Sequence, residues 1–187
     1  MYSDFPNVTV YANANDVGVA WPAIMEKAIA GLEQFWDDKK RENNAQFPQN
    51  KDFQGNLLTG YSRITQGSSA GDRAELLAQL TGRTAETHEL PTQYDIKGRS
   101  PEKQLLAHLR EFTESGRPVA VGTRPKGTGV ENKLEKDLLS SHAYEIVSVD
   151  DKGLIQLRNP HNARHPQPLT AAEFMKYCSN QYTSLED

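Results

Sequence analysis

Late in the chain, apolar and polar positions settle into two short β-rich runs, His142 to Val149 and Leu154 to Arg158, joined by Asp150-Asp151-Lys152-Gly153. Val, Ile and Tyr suit a pleated surface, and a short Asp/Gly connection between such runs predicts an antiparallel hairpin. Upstream the period becomes helical. Trp21, Ile24, Met25, Ala28, Ile29, Leu32, Phe35 and Trp36 recur three and four residues apart, with Pro22 in the first turn, which predicts a helix with a core stripe. Asp72 to Leu80, with Ala74, Leu77 and Ala78, reads as a short amphipathic helix closed by Gly82. Ser100-Pro101 opens another, with Leu105, Leu106, Leu109 and Phe112 as its stripe and Gly116 at its end. Thr170 caps a last helix through Ala171, Phe174, Met175 and Cys178, with Glu173 placed for a capping box. Val8 to Tyr11, Pro118 to Val121 and Gln181 to Leu185 read as strands.

Two polar stretches interrupt this pattern. Residues 37–56 are rich in Asn, Gln, Lys and Asp and read as a solvated or partly disordered insertion, whereas 122–133, rich in Gly, Pro and charge, reads as a mobile loop. The mixture of helices and antiparallel strands over 187 residues predicts an α+β fold in a single domain, 1–187. A net charge of −4 with scattered Lys and Arg argues against a nucleic-acid footprint. No apolar run reaches the ~18 residues of a membrane span, and no export signal follows Met1, so a soluble intracellular chain is expected. A single cysteine, Cys178, excludes an internal disulfide and gives no support for structural zinc.

The hairpin also carries candidate chemistry. With Val149 opposite Leu154, His142 faces His161 and Tyr144 faces Asn159, which sets His142 and Asn159 diagonally on one face. A diagonal of ~7–8 Å lets an imidazole and a carboxamide lean together, and a slip of one residue would put them on opposite faces. A carboxamide oxygen accepting a ring N–H fixes the tautomer and leaves the second nitrogen for proton transfer. Spacing alone favours a core hairpin whose His and Asn merely satisfy each other or face water. Elsewhere, Gly67-Ser68-Ser69-Ala70-Gly71 matches the serine-hydrolase nucleophile elbow, with Asp137 and His142 later in order. That motif needs a buried strand before it and a helix after it, and Tyr61 to Gln66 is short and polar. His161 and His165 stand four apart, but Pro160, Pro166 and Pro168 deny them a shared helix face, so no metal site is assigned.

His142-Ala143-Tyr144 and Leu157-Arg158-Asn159-Pro160 resemble, at this separation, the histidine and asparagine blocks of the calpain family of cysteine proteases, roughly GHAYSV and RLRNPWG. The chain departs from that pattern at Ser141, where the family has Gly, and at His161-Asn162, where it has Trp-Gly; the family's Trp shields the His–Asn hydrogen bond. Ala20 to Leu32, AWPAIMEKAIAGL, is similar to the family helix of type FWSALLEKAYAKL. Tyr61, Gly67, Leu80-Thr81-Gly82 and Glu89-Leu90 fall where the family has YEALSGG, FTGG and EWYEL, and PLTAAEFMKYCSN resembles a closing helix of bacterial calpain-like domains.

The resemblance implies a papain-like α+β fold and hydrolysis of protein or peptide substrates, with His142 as general base and acid and Asn159 as its orienter. Gly67, Ser68 and Ser141 become candidate substrate contacts, the glycine-rich start lying along the family's cleft, and 122–133 matches a flexible loop beside it. The family nucleophile sits in a Gly-Asp-Cys-Trp motif after a glutamine, and neither is present. Cys178 falls on a buried stripe downstream of the His and Asn. The implied partner is therefore the missing N-terminal part of the catalytic core. Two alternatives stay open: a non-catalytic calpain-like module that binds peptides or partners, and a serine hydrolase using Ser69. Calcium enters only through the resemblance, since no D-x-D-x-D-G loop appears.

Overall fold

The computed structural model describes residues 4–5, 8–9, 29–65, 70–125, 134–160 and 164–186. Its contacts divide the chain into two compact units, Met1–Gly67 and Ser68–Asp187. In the first, β1 (Asp4–Phe5) pairs antiparallel with β2 (Val8–Thr9), placing a strand at the head of the predicted Val8 to Tyr11 run. Most of the predicted Trp21 to Trp36 helix lies outside the described residues. Ile29 and Ala30 are helical, Gly31 turns, and Leu32–Phe35 is a 3-10 turn. The predicted stripe breaks at Phe35, which is 86 % exposed, while Trp36 at its end is half-buried.

Residues 37–56 are more ordered than their composition suggests. Asp37 caps the N-terminus of α1 (Asp38–Ala45) by accepting the Lys40 N–H at 2.7 Å. No residue of α1 is buried, so local capping rather than an apolar face holds this turn. A loop braced by Asp52 Oδ1, which accepts the Gln54 and Asn56 N–H groups, leads to α2 (Gly60–Thr65).

The second unit is a five-stranded antiparallel sheet with helices on both faces. The elements run α3 (Ala70–Thr81), β3 (Ala85–Glu89), α4 (Pro101–Glu114), β4 (Val119–Thr123), β5 (Ala143–Val149), β6 (Ile155–Arg158), α5 (Ala171–Tyr177) and β7 (Cys178–Leu185). The sheet order is β3-β7-β4-β5-β6. Tyr182 meets α4 through Phe112 and His108, while its neighbour Thr183 donates its hydroxyl to Ala70 O on α3 at 2.9 Å. Successive strand residues face opposite sides, so α3 and α4 cover opposite faces.

The α4 stripe is buried as predicted at Leu105, Leu109 and Phe112. It packs with Val119, Val121, Tyr144, Ile146, Tyr182 and Phe174 into one core. Ser100 caps α4 and Gly116, at φ 72°, follows it. The capping box at Thr170 and Glu173 forms. His108 sits at the edge of the α4 stripe, its Nδ1 3.0 Å from the Tyr182 hydroxyl. Strand β3, which the sequence pattern did not reveal, is the sheet edge paired to β7.

The hairpin register differs from expectation at the turn and agrees at the far end. Asp150 N bonds Leu154 O, Asp150 Oδ1 accepts from Lys152 and Leu154, and Val149 stands opposite Ile155 rather than Leu154. The connection is thus one residue longer than predicted. A bulge then absorbs the difference: Ser148 pairs with Gln156 but Ile146 pairs with Leu157, leaving Val147 as the extra residue. From there the pairs follow the predicted register through Glu145 opposite Arg158.

Ahead of β5, Ser141 has φ 51°, in the region where a side chain costs about 1–2 kcal/mol. Glycine at this position in the calpain pattern therefore has a conformational reason. Ser141→Gly should raise stability by up to about 1.6 kcal/mol, the relieved strain of ~1–2 kcal/mol less the ~0.4–1 kcal/mol of extra freedom glycine gives the unfolded chain. Urea unfolding monitored by circular dichroism checks this, and a lowered midpoint would contradict it.

Candidate functional site

Continued one residue past the Glu145–Arg158 pair, the restored register sets Tyr144 opposite Asn159, and His142, two residues before Tyr144, on the same face. His142 Nε2 lies 3.1 Å from Asn159 Oδ1. A carbonyl oxygen only accepts, so Nε2 carries the proton and Nδ1 is the basic nitrogen of the neutral ring. The Tyr144 ring stands edge-on to the imidazole, with centroids 5.0 Å apart and planes at 83°. Asn159 is 3 % exposed. The carboxamide is therefore sheltered in a chain whose sequence lacks the calpain tryptophan, and a dry environment strengthens the bond it makes.

Both members are held through their main chains. Thr123 N donates to His142 O at 2.8 Å, and His142 N donates to Thr123 Oγ1 at 3.0 Å. Ser141 N donates to Arg124 O, while Arg124 Nε reaches Cys178 O at 2.6 Å. Leu139 N donates to the buried Tyr144 hydroxyl at 2.9 Å. On the other strand, Asn159 N donates to His165 Nδ1 at 3.2 Å. Thr123 goes unrecognised in the sequence, and His165 enters there only as a rejected metal ligand beside His161, not as a support for Asn159. A polar residue ending the apolar Val119 to Gly122 run was the available signal for Thr123. His165 had none, because the path of a proline-rich loop is not periodic.

Of the candidate substrate contacts, Ser141 adjoins His142 in the chain and is exposed, whereas Gly67 and Ser68 lie outside the described residues. So do Ser69, most of 122–133, and His161. The nucleophile-elbow reading of Ser69 loses its context. The segment before it is helix α2 rather than a strand, and every pairing in the five-stranded sheet is antiparallel. Asp137, the acid that reading would need, accepts from Gln167 Nε2.

Cys178 is fully buried at the start of β7. Burial pushes its thiol up to about 12, with the Arg124 guanidinium pulling weakly the other way. At neutral pH it is a thiol rather than the thiolate that attacks carbonyl carbon. Among the described residues one group could gather around an ion: Glu86, His88 and Glu186, with ligand atoms within 4.8 Å of one another. Its imidazole suits calcium poorly. His88 Nε2 is 2.7 Å from Ser184 Oγ and Glu186 Oε2 is 3.8 Å from Arg117 NH1, so protein partners already engage these atoms. No helix of the described residues is long and apolar enough to cross a membrane.

The geometry can be set beside known proteins. No curated protein matches the chain. A family model described as calpain family cysteine protease matches residues 55–166, more than half of the sequence and inclusive of both His142 and Asn159. The chain belongs to the calpain family of cysteine proteases.

Proposed function

We propose that this chain supplies the histidine–asparagine half of a calpain-type cysteine endopeptidase with a papain-like fold. His142 is the general base and acid, and Asn159 is its orienting partner. The observation that carries the reading is the 3.1 Å contact of His142 Nε2 with Asn159 Oδ1 across β5 and β6. It orients the ring so that Nδ1 takes the proton of a thiol and the resulting imidazolium stabilises the thiolate. The thiolate attacks the scissile carbonyl carbon, and Nδ1–H then protonates the departing amine. In the second half, Nδ1 takes a proton from water as its oxygen attacks the thioester carbon; the C–S bond then breaks, the acid leaves, and the sulfur takes the proton back from Nδ1–H. Through all of this Nε2–H stays on Asn159.

The sulfur belongs to a polypeptide segment outside this sequence, because Cys178 is the chain's one cysteine and is buried and protonated. That segment, the N-terminal part of the catalytic core, is the partner the site requires. Substrates are extended peptides; calcium has no assigned role in these steps. The non-catalytic binding module is the competing reading, and it shares the geometry while dispensing with the thiol.

Cys178 should resist iodoacetamide at pH 7.5 in the folded chain and react fully in denaturant, as mass spectrometry would show; rapid native labelling would restore it as a nucleophile candidate. Sequencing the DNA upstream of Met1 separates the two readings. An in-frame Gln…Gly-Asp-Cys-Trp segment is expected, and the product that includes it should cleave casein. In that product His142→Ala should lower kcat/KM by ~10²–10⁴-fold, and Asn159→Ala by less. A stop codon directly upstream would favour the non-catalytic module.

A further inference from the structure

We infer that Thr123 is a positioning residue for His142, and this rests on the proposed role of the His142–Asn159 couple. β4 and β5 run antiparallel with Gly122 opposite Ala143, so the next rung joins Thr123 to His142. In an ordinary rung of this type two main-chain bonds are exchanged. Here the first is present, Thr123 N to His142 O at 2.8 Å. The second is made by a side chain: His142 N donates to Thr123 Oγ1 at 3.0 Å.

The hydroxyl has one proton to give, and its shortest acceptor is Leu139 O at 2.6 Å. It therefore accepts from His142 and donates to Leu139, clamping the two ends of the turn that carries Ser141 at φ 51°. The main chain of β4 leaves the ladder at this point. Arg124 N turns to Tyr177 O, and on the β7 side a register shift after Val121 brings Thr123 itself opposite Cys178. Without the hydroxyl, the His142 N–H and the Leu139 carbonyl would both lose these bonds in a partly buried place. The hydroxyl is what allows β4 to diverge while His142 keeps a strand-like anchor on both sides.

Serine can make the same two bonds. Valine matches threonine in shape and can make neither. The ring of His142 should feel the difference, because a rotation of its backbone swings Nε2 away from Asn159 Oδ1.

The test uses the full chain labelled with ¹⁵N, recording long-range ¹H–¹⁵N spectra of the His142 ring with chain folding followed by amide dispersion. Wild type and Thr123→Ser should show a ring held as the Nε2–H tautomer, and Thr123→Val should show mixed tautomers. An unchanged ring in Thr123→Val, or the same mixing in Thr123→Ser, overturns the inference. A wild-type ring already mixed would instead overturn the His142–Asn159 reading itself. Should Thr123→Val fail to fold, wild-type amide exchange decides. The His142 N–H should be protected to the level of the Tyr144 and Ile146 amides, and exchange at the rate of an open loop overturns the clamp.

Discussion

One extra residue in β5 governs the site. Val147 bulges between the Ser148–Gln156 and Ile146–Leu157 pairs. Because side chains alternate with period two, a register displaced by one residue would carry a whole strand's side chains to the other face. The longer turn at Asp150 to Leu154 introduces that displacement and the bulge cancels it before the strands reach His142 and Asn159. The contact between imidazole and carboxamide is thus a property of backbone count as much as of side-chain choice.

Around that register the protein builds rigidity from buried partners. The shared face that carries Tyr144 also carries Val121 and Ile146 against α4, so the couple stands at the end of the main hydrophobic core. Close packing there resists small movements. On the opposite face of the hairpin, Glu145 pairs with Arg158 at 2.6 Å, a surface contact that supports pairing with little net energy. In the proposed reading, this scaffold holds the proton-transfer group still while the nucleophile approaches from another segment.

Much of the second unit was legible from residue order. Caps at Ser100 and Thr170, the α4 stripe and the two hairpin runs have local causes, and local causes survive in a sequence. The His142–Asn159 pairing was legible too, although by a register that misplaced the turn. A turn stabilised by Asp150 bonding two amides, followed by a compensating bulge, looks from spacing alone like a shorter turn without one. β3 escaped notice because Ala85–Glu89 is a short edge strand in which polar residues alternate weakly. α1 escaped because its stability comes from the Asp37 cap and not from any apolar stripe. Thr123 acts on the main chain of His142 across the sheet, and His165 reaches back to the Asn159 amide through the path of its own loop; composition records neither approach.

The most direct measurement is the nuclear Overhauser effect between the His142 ring protons and the Asn159 side-chain amide protons in the native chain. Hydrogen-bond distance between Nε2 and Oδ1 predicts a strong cross-peak, accompanied by one between the His142 and Tyr144 rings. A well-dispersed spectrum in which the ring protons of His142 show no contact with Asn159 would contradict the account.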